Sequence, residues 1–258
     1  MPHSPSYRRI LHKMGYYDYQ QGLIYRHLNQ GDGWNSHLAK CRDFILRAAD
    51  NLNPRIITIL GSGWLLELPI SELAGKAEKI YLVDIVHPPQ VIAQTAGLKN
   101  VQLVEEDLSG GLIEEVWEKA GKHRIICRLK SLDEIRIPGY QFYRDPGLVI
   151  SLNILTQIEV LPERFLRKHA WAGEEEYMRF KKEVQKKHIC SLSKYRTILI
   201  TDTSQIFTDK KGNVTEKQTL LTELPEGSYS ESWIWDFDLK RQDYNLRKSV
   251  LSVTAKII

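Results

Sequence analysis

The chain has 258 residues, 42% hydrophobic and 26% charged, with 36 Lys and Arg against 32 Asp and Glu for a formal net charge of +4. At about 100–200 residues per domain, this length allows one large domain with an appendage, and the composition excludes collagenous, coiled-coil and wholly disordered chains. The small positive excess is well short of that of a dedicated nucleic-acid binder. No apolar run reaches the roughly 18 residues a membrane-spanning helix needs. The greasiest stretch, Ile56–Ile70, is interrupted by Gly61, Ser62, Gly63, Glu67 and Pro69, so no membrane partner is expected. The opening residues are polar and aromatic and lack the apolar centre of a secretory signal, which makes the cytoplasm the expected compartment. Cys41, Cys127 and Cys190 form no CxxC pair; they are expected to be reduced and mostly buried, with neither a disulfide framework nor a metal site.

In chain order, residues 1–53 read as a helical, aromatic-rich N-terminal region. Tyr16, Tyr17, Tyr19, Leu23, Ile24 and Leu28 precede the turn Gly31-Asp32-Gly33. Ser36 is the expected cap of a second helix, in which Leu38, Cys41, Phe44, Ile45 and Ala48 recur at the helical period until Asn53-Pro54 stops it. From Arg55 the pattern changes to β-branched runs at 56–60, 80–83, 101–104, 148–152 and 197–201. Helical stretches at about 65–74, 89–96, 111–120, 162–169 and 174–193 separate them, and strands joined by crossover helices make a doubly wound, mostly parallel α/β sheet. After Asp202, the runs Ser232–Leu239 and Ser249–Ile258 read as a C-terminal antiparallel hairpin around a polar turn.

The best chemical signal is the first strand running into Gly61-Ser62-Gly63. Glycine permits a positive φ and lets a ligand approach the backbone, and in nucleotide-binding α/β folds such a turn lies at the crevice where ligands settle. A Gly-x-Gly pair also suits a purely structural tight turn. The second strand ends in Asp84, where a carboxylate can accept hydrogen bonds from ribose hydroxyls; the alternative is a cap on the turn before His87-Pro88-Pro89. The third ends in Glu105-Glu106-Asp107. Three successive strand ends therefore carry ligand-type groups toward one crevice.

Over about residues 55–258 this pattern resembles the class I S-adenosylmethionine-dependent methyltransferases, which implies a Rossmann-like domain over 54–258. The resemblance places Gly61, Ser62 and Gly63 against the methionyl part of S-adenosylmethionine, Asp84 on its ribose and Asp107 facing the adenine amino group. It places 148–157, with Asn153, beside the transferable methyl. Residues 197–202 and 249–256 match the family's fifth and last strands. The family commonly has an acidic residue two positions before the first glycine, where this chain has Ile59; the cofactor amine would then turn to Glu67 or to a carbonyl of the glycine turn. Trp64 either packs on the cofactor or fills its space.

Methyl transfer to a good nucleophile needs in-line positioning, and a base only where the acceptor must lose a proton. The catalytic candidates are Asn153, which either orients an acceptor or forms a turn, and His37, provided the N-terminal helices close over the crevice. These helices are expected to wall the crevice, through the turn ending at Trp34 or through Tyr16–Tyr19. His188 reads as a solvated or capping histidine of a charged helix. Lys181, Lys182, Lys186 and Lys187 read as a solvated face diluted by glutamates, and the tyrosines beside Arg8, Arg9 and Arg26 as helix-packing residues. Nucleic-acid contact is the disfavoured alternative for both basic regions. The leading expectation is a methyltransferase whose acceptor, small or macromolecular, the sequence leaves open. The alternatives are a catalytically silent binding module on the same fold and, ranked lower, an NAD-linked oxidoreductase; a Walker-type site is excluded because no GK[ST] occurs.

Overall fold

A computed structural model of the chain describes residues 3–121 and 128–258, so the expectation for Cys127 lies outside the described residues. Helix α1 (Pro5–Met14) starts at Ser4, whose hydroxyl accepts a hydrogen bond from the Tyr7 N–H, and ends at Gly15 with a φ of 87°. Helix α2 (Tyr16–Gln30) follows, and a 3₁₀ turn at Gly31–Trp34 leads directly into α3 (Asn35–Leu52). Ser36 is therefore not the cap: α3 begins before it, because the preceding 3₁₀ turn already supplies carbonyls, and the Asn35 N–H donates to that of Asp32. At the other end Asn53 takes the left-handed conformation, with a φ of 42°, and Pro54 prevents continuation.

The remaining elements are β1 (Ile56–Leu60), α4 (Ile70–Ala74), β2 (Lys79–Asp84), α5 (Pro89–Thr95), β3 (Val101–Glu105) and α6 (Leu112–Val116). Then come β4 (Leu148–Leu152), α7 (Val160–His169), α8 (Glu174–Leu192), β5 (Thr197–Thr208), β6 (Val214–Gln218), β7 (Tyr229–Asp238) and β8 (Lys248–Ile257). Among the described residues the strands form one sheet in the order β3-β2-β1-β4-β5-β8-β7, with β6 attached to the far half of β5. The pairs from β3 through β5 are parallel and those involving β6, β7 and β8 antiparallel. This is the doubly wound, mostly parallel sheet with antiparallel C-terminal strands that the class I methyltransferase resemblance implies. It differs from the expected inventory in β6, whose residues are all exposed and carry no apolar period, and in β5, which continues to Thr208 because β6 and β8 pair with its extension. No helix among the described residues is long and apolar enough to cross a membrane.

Alternation along the strands builds two faces. Ile57, Ile59, Ile150, Leu152, Ile198 and Ile200 pack with Leu38, Cys41, Phe44 and Ile45 of α3 on one side. Leu60, Val83, Val149 and Leu199 meet Ile189 and Leu192 of α8 on the other. A third cluster joins Tyr7, Leu11 and Met14 of α1 to Ile113 and Val116 of α6 and Phe165 and Leu166 of α7, which seats the N-terminal helices beside the crossover helices. His188 is not solvated: it lies on the buried stripe Tyr177, Phe180, Val184, His188 and Leu192 of α8, at helical spacing, with its Nε2 2.9 Å from the Ser151 hydroxyl. Among the cysteines, Cys41 is fully buried but Cys190 is exposed, on the solvent side of the same helix.

Candidate functional site

After β3 the chain returns to place β4 on the opposite side of β1. The connections leaving β1 and β4 therefore part in opposite directions, the topological position at which open α/β sheets form a ligand crevice. A cavity of about 1040 Å³, its open mouth included, occupies that position. Gly61 and Gly63 after β1, Asp84 ending β2, Asp107 after β3 and Asn153 after β4 all line it, and Ser62 is buried between the two glycines. The residues singled out by sequence from four separate strand ends thus meet at one cavity.

The two glycines do different work. At Gly61, with a φ of 77°, a Cβ would stand 2.9 Å from both the Ile154 Cβ and the Leu152 carbonyl oxygen, so this position is closed by β4 packing. At Gly63, with a φ of 50°, the nearest atom to such a Cβ is the Gly61 oxygen at 4.0 Å, leaving open space above the backbone for a ligand. The Gly63 N–H donates to Asp84 Oδ2 at 2.7 Å, while Asp84 Oδ1 accepts from the Ile85 N–H at 2.7 Å and from Gln20 Nε2 at 3.3 Å. Burial raises the Asp84 pKa above the ordinary carboxylate value, and the Gly63 N–H acts in the opposite direction. Asp107 also caps a turn: it accepts from the Ser109 N–H at 2.9 Å, the Ser109 hydroxyl at 2.5 Å and the Gly111 N–H at 3.1 Å on the way into α6.

Ile59 is wholly buried in the α3-side core and lines no part of the cavity. The nearby cavity acid is Glu67, and a difference from the expected secondary structure puts it there. The helix read over 65–74 starts only at Ile70, since the residue before a proline disfavours helical backbone and Pro69 sits at the boundary. Trp64–Pro69 is a bent loop with Leu65 at a φ of 60°; Leu65 and Leu68 enter the core while Glu67 returns to the cavity. Burial works to raise the Glu67 pKa, but the neighbouring His37 and Asn153 side chains outweigh it and hold this carboxyl below the ordinary value.

His37 stands behind Glu67, outside the cavity lining. Its Nδ1 accepts from the Trp233 indole N–H at 3.0 Å. An indole can only donate, so Nδ1 presents its lone pair and the ring proton belongs on Nε2, which lies 3.9 Å from Glu67 Oε1. The imidazole stacks on Trp235 at 3.8 Å and 2°. Asn153 adopts a left-handed φ of 49°, as a turn former does, and also faces the cavity; its Oδ1 is buried without a partner among the described residues.

The opposite wall comes from the N-terminal helices, as their aromatic content suggested. Tyr16, Tyr19, Gln20 and Leu23 of α2 line the cavity together with Trp34. Tyr17 does not; it stacks on His12 at 4.0 Å. Trp64 lines the cavity with its indole N–H donating to the Gln20 carbonyl at 2.8 Å, so the unusual tryptophan of the glycine turn fastens α2 over the site. Gln20 Oε1 and Ser62 Oγ, like Asn153 Oδ1, are buried without partners among the described residues. Nothing in the sequence distinguished Gln20, because a glutamine on a polar helix carries no signal until its neighbours are in place.

No protein-family model matches the chain, and no curated protein matches its sequence. Among solved structures, it is similar to DhpI in complex with SAH, with 10% identity, 93% of this chain and 94% of that chain covered and a TM-score of 0.37. It is similar to Burkholderia thailandensis 1,6-didemethyltoxoflavin-N1-methyltransferase with bound 1,6-didemethyltoxoflavin and S-adenosylhomocysteine, at 10% identity, coverage of 100% and 92% and a TM-score of 0.40. It is also similar to the N-methyltransferase NodS from Bradyrhizobium japonicum WM9 in complex with S-adenosyl-L-homocysteine, at 10% identity, coverage of 83% and 84% and a TM-score of 0.33. Each is a distant likeness.

Proposed function

We propose that the chain is an S-adenosylmethionine-dependent methyltransferase. The observation that carries this reading is the meeting of Gly63, Asp84, Asp107 and Asn153 in one cavity at the switch point between β1 and β4. The residues present fit the cofactor. Open space above Gly63 admits close approach, and Glu67 supplies a carboxylate held ionised inside the cavity. Gln20 Oε1 offers a buried acceptor that no protein group uses among the described residues, and a buried acceptor without a partner is costly unless a ligand fills the role.

In this reading Glu67 takes over, from the position filled by Ile59, the binding of the amino group. Asp84 accepts from the ribose hydroxyls, Asp107 faces the adenine amino group, and the backbone at Gly63 borders the amino-acid part. The cofactor, when bound, supplies the electrophilic methyl group. What this chain contributes is alignment and exclusion of water: Tyr16, Tyr19 and Trp34 of the N-terminal helices wall the cavity, and Trp64 of the glycine turn fastens that wall to the strand ends. Asn153 is placed to orient an acceptor, and His37 positions Glu67 rather than touching a reacting atom.

Isothermal calorimetry with S-adenosylhomocysteine tests the reading. Saturable one-to-one binding by the purified chain is expected. Absence of binding in folded wild-type protein would overturn it and favour a silent module on the same fold.

A further inference from the structure

A second concavity lies on the other side of α2. His12 and Lys13 of α1, Arg26 of α2, and Arg164 and Lys168 of α7 line it, with Asp18 as its acidic member. Both walls also serve the cavity. Tyr19 lines the two spaces, and α7 carries Leu161 into the cavity while Arg164 and Lys168, one and two turns further along the helix, face the groove. Lys13, Arg164 and Lys168 make no ion pair among the described residues, whereas Arg26 pairs with Asp243 at 2.5 Å and covers the Phe237 ring. Burial raises the Tyr19 phenol to about 12, with Arg26 and Arg164 drawing it downward, and Tyr19 is the residue common to the two linings.

Three unpaired cations converging on one concave surface, with a single acid among them, are suited to a compact anion. A nucleic acid would call for a longer basic track. The lysines of α8 do not extend the groove, since none of them lines it. Resting on the methyltransferase reading, we infer that the methyl acceptor is a small molecule bearing a phosphate-class anion, which docks between α2 and α7 on Lys13, Arg164 and Lys168 and leads its nucleophile past Tyr19 to the cavity.

The test uses the full chain, with phenyl phosphate as probe and phenol as its uncharged counterpart, each titrated calorimetrically into protein saturated with S-adenosylhomocysteine. Phenyl phosphate is expected to bind saturably and phenol not at all. The double variant Arg164→Gln/Lys168→Gln, both residues exposed, should weaken phenyl phosphate by roughly tenfold, and Lys13→Gln on the other wall by roughly threefold, with S-adenosylhomocysteine affinity unchanged in each. Equal binding of phenyl phosphate to wild type and the double variant overturns the assignment, as does no binding. A single-stranded oligouridylate held more tightly than phenyl phosphate and lost in the double variant would overturn it in favour of nucleic acid. If S-adenosylhomocysteine binds and phenyl phosphate does not, the groove assignment alone fails. If phenyl phosphate binds and S-adenosylhomocysteine does not, the methyltransferase reading fails and takes the acceptor role with it.

Discussion

The Gly63 N–H donates to the Asp84 carboxylate at 2.7 Å, so the acid ending β2 fastens the turn that ends β1. Asp84 thus ties two strand ends together while lining the cavity, and its Oδ1 also accepts from the Ile85 N–H that opens the turn before His87-Pro88-Pro89. The two roles separate by substitution. Asp84→Ala is expected to weaken S-adenosylhomocysteine by roughly 1.5–3 kcal/mol, the range for hydrogen bonds to a charged group. Asp84→Asn, which keeps an acceptor for the Gly63 N–H, should lose less. Calorimetry on both variants decides: full affinity in a folded Asp84→Ala protein would take this side chain out of the site.

The glycines yield a second contrast. Gly61→Ala drives a Cβ into β4 and should destabilise the fold by roughly 1–3 kcal/mol, read by urea denaturation. Gly63→Ala meets open space, and its expected loss of stability, about 1 kcal/mol from the positive φ, is smaller than its loss of ligand affinity. Equal ligand affinity in wild type and a folded Gly63→Ala would show that the turn is structural only.

Glu67→Gln preserves shape and removes charge. Because its pKa lies below the ordinary carboxylate value, the folded-state carboxylate contributes stability that is present above the unfolded pKa and is lost as pH falls through the lower folded one. The variant is expected to flatten that acid limb and to weaken S-adenosylhomocysteine by roughly tenfold or more, as for loss of a charge-assisted bond. A variant that binds as wild type does would leave the amino group to a backbone carbonyl of the glycine turn.

How much of this was legible in the sequence depends on whether the burial of a segment leaves a periodic trace. The runs at 56–60 and 148–152 coincide with β1 and β4 because strands buried on both faces read as unbroken apolar runs. Strand β6, Val214–Gln218, has every residue exposed and left no such trace. His188 was misread for the complementary reason: a charged helix signals solvent, yet its buried stripe needs only one position in three or four. Asp84, Asp107 and the glycines were legible because strand ends in this topology converge. Glu67 was legible as an acid but not as part of a bent loop, and Gln20 was not legible at all, since its contacts to Asp84 and Trp64 join residues 64 and 44 positions apart.

Hydrogen exchange should reveal α2 as a wall of the site. Its side chains are mostly half-buried, and it is tied to the site by the Trp64–Gln20 and Gln20–Asp84 hydrogen bonds. Amides of residues 16–23 are expected to exchange several-fold more slowly when S-adenosylhomocysteine is present. Unchanged exchange there, with protection at Gly63 and Asp84, would place the ligand away from α2.

Two buried groups give the fold a pH signature of opposite slopes. Burial lowers the His188 pKa from 6.5 to about 4, so between these values the unfolded chain binds the extra proton. That contribution is complete above the unfolded value and is lost as pH falls toward the folded one. Glu159 is pushed by burial from 4.5 up to about 7, so here the folded chain holds the extra proton and stability declines as pH rises across that range. Glu159→Gln, which keeps an acceptor for Gln185, should exceed wild type by about 1–3 kcal/mol near pH 8 and match it near pH 4.5 in denaturant titrations. Identical curves at both pH values would mean that Glu159 is ionised in the folded chain.

Helix α2 borders the cavity through Tyr16, Tyr19, Gln20 and Leu23 and the basic groove through Asp18, Tyr19 and Arg26. A helix shared in this way cannot be immobilised for one occupant and left loose for the other. If both proposed occupants bind, the one that orders Tyr19 and its neighbours lowers the entropy the other must lose. Linkage then requires the factor by which either occupant changes the affinity of the other to be the same in both directions, so titrating S-adenosylhomocysteine with and without phenyl phosphate reads the coupling through this one helix.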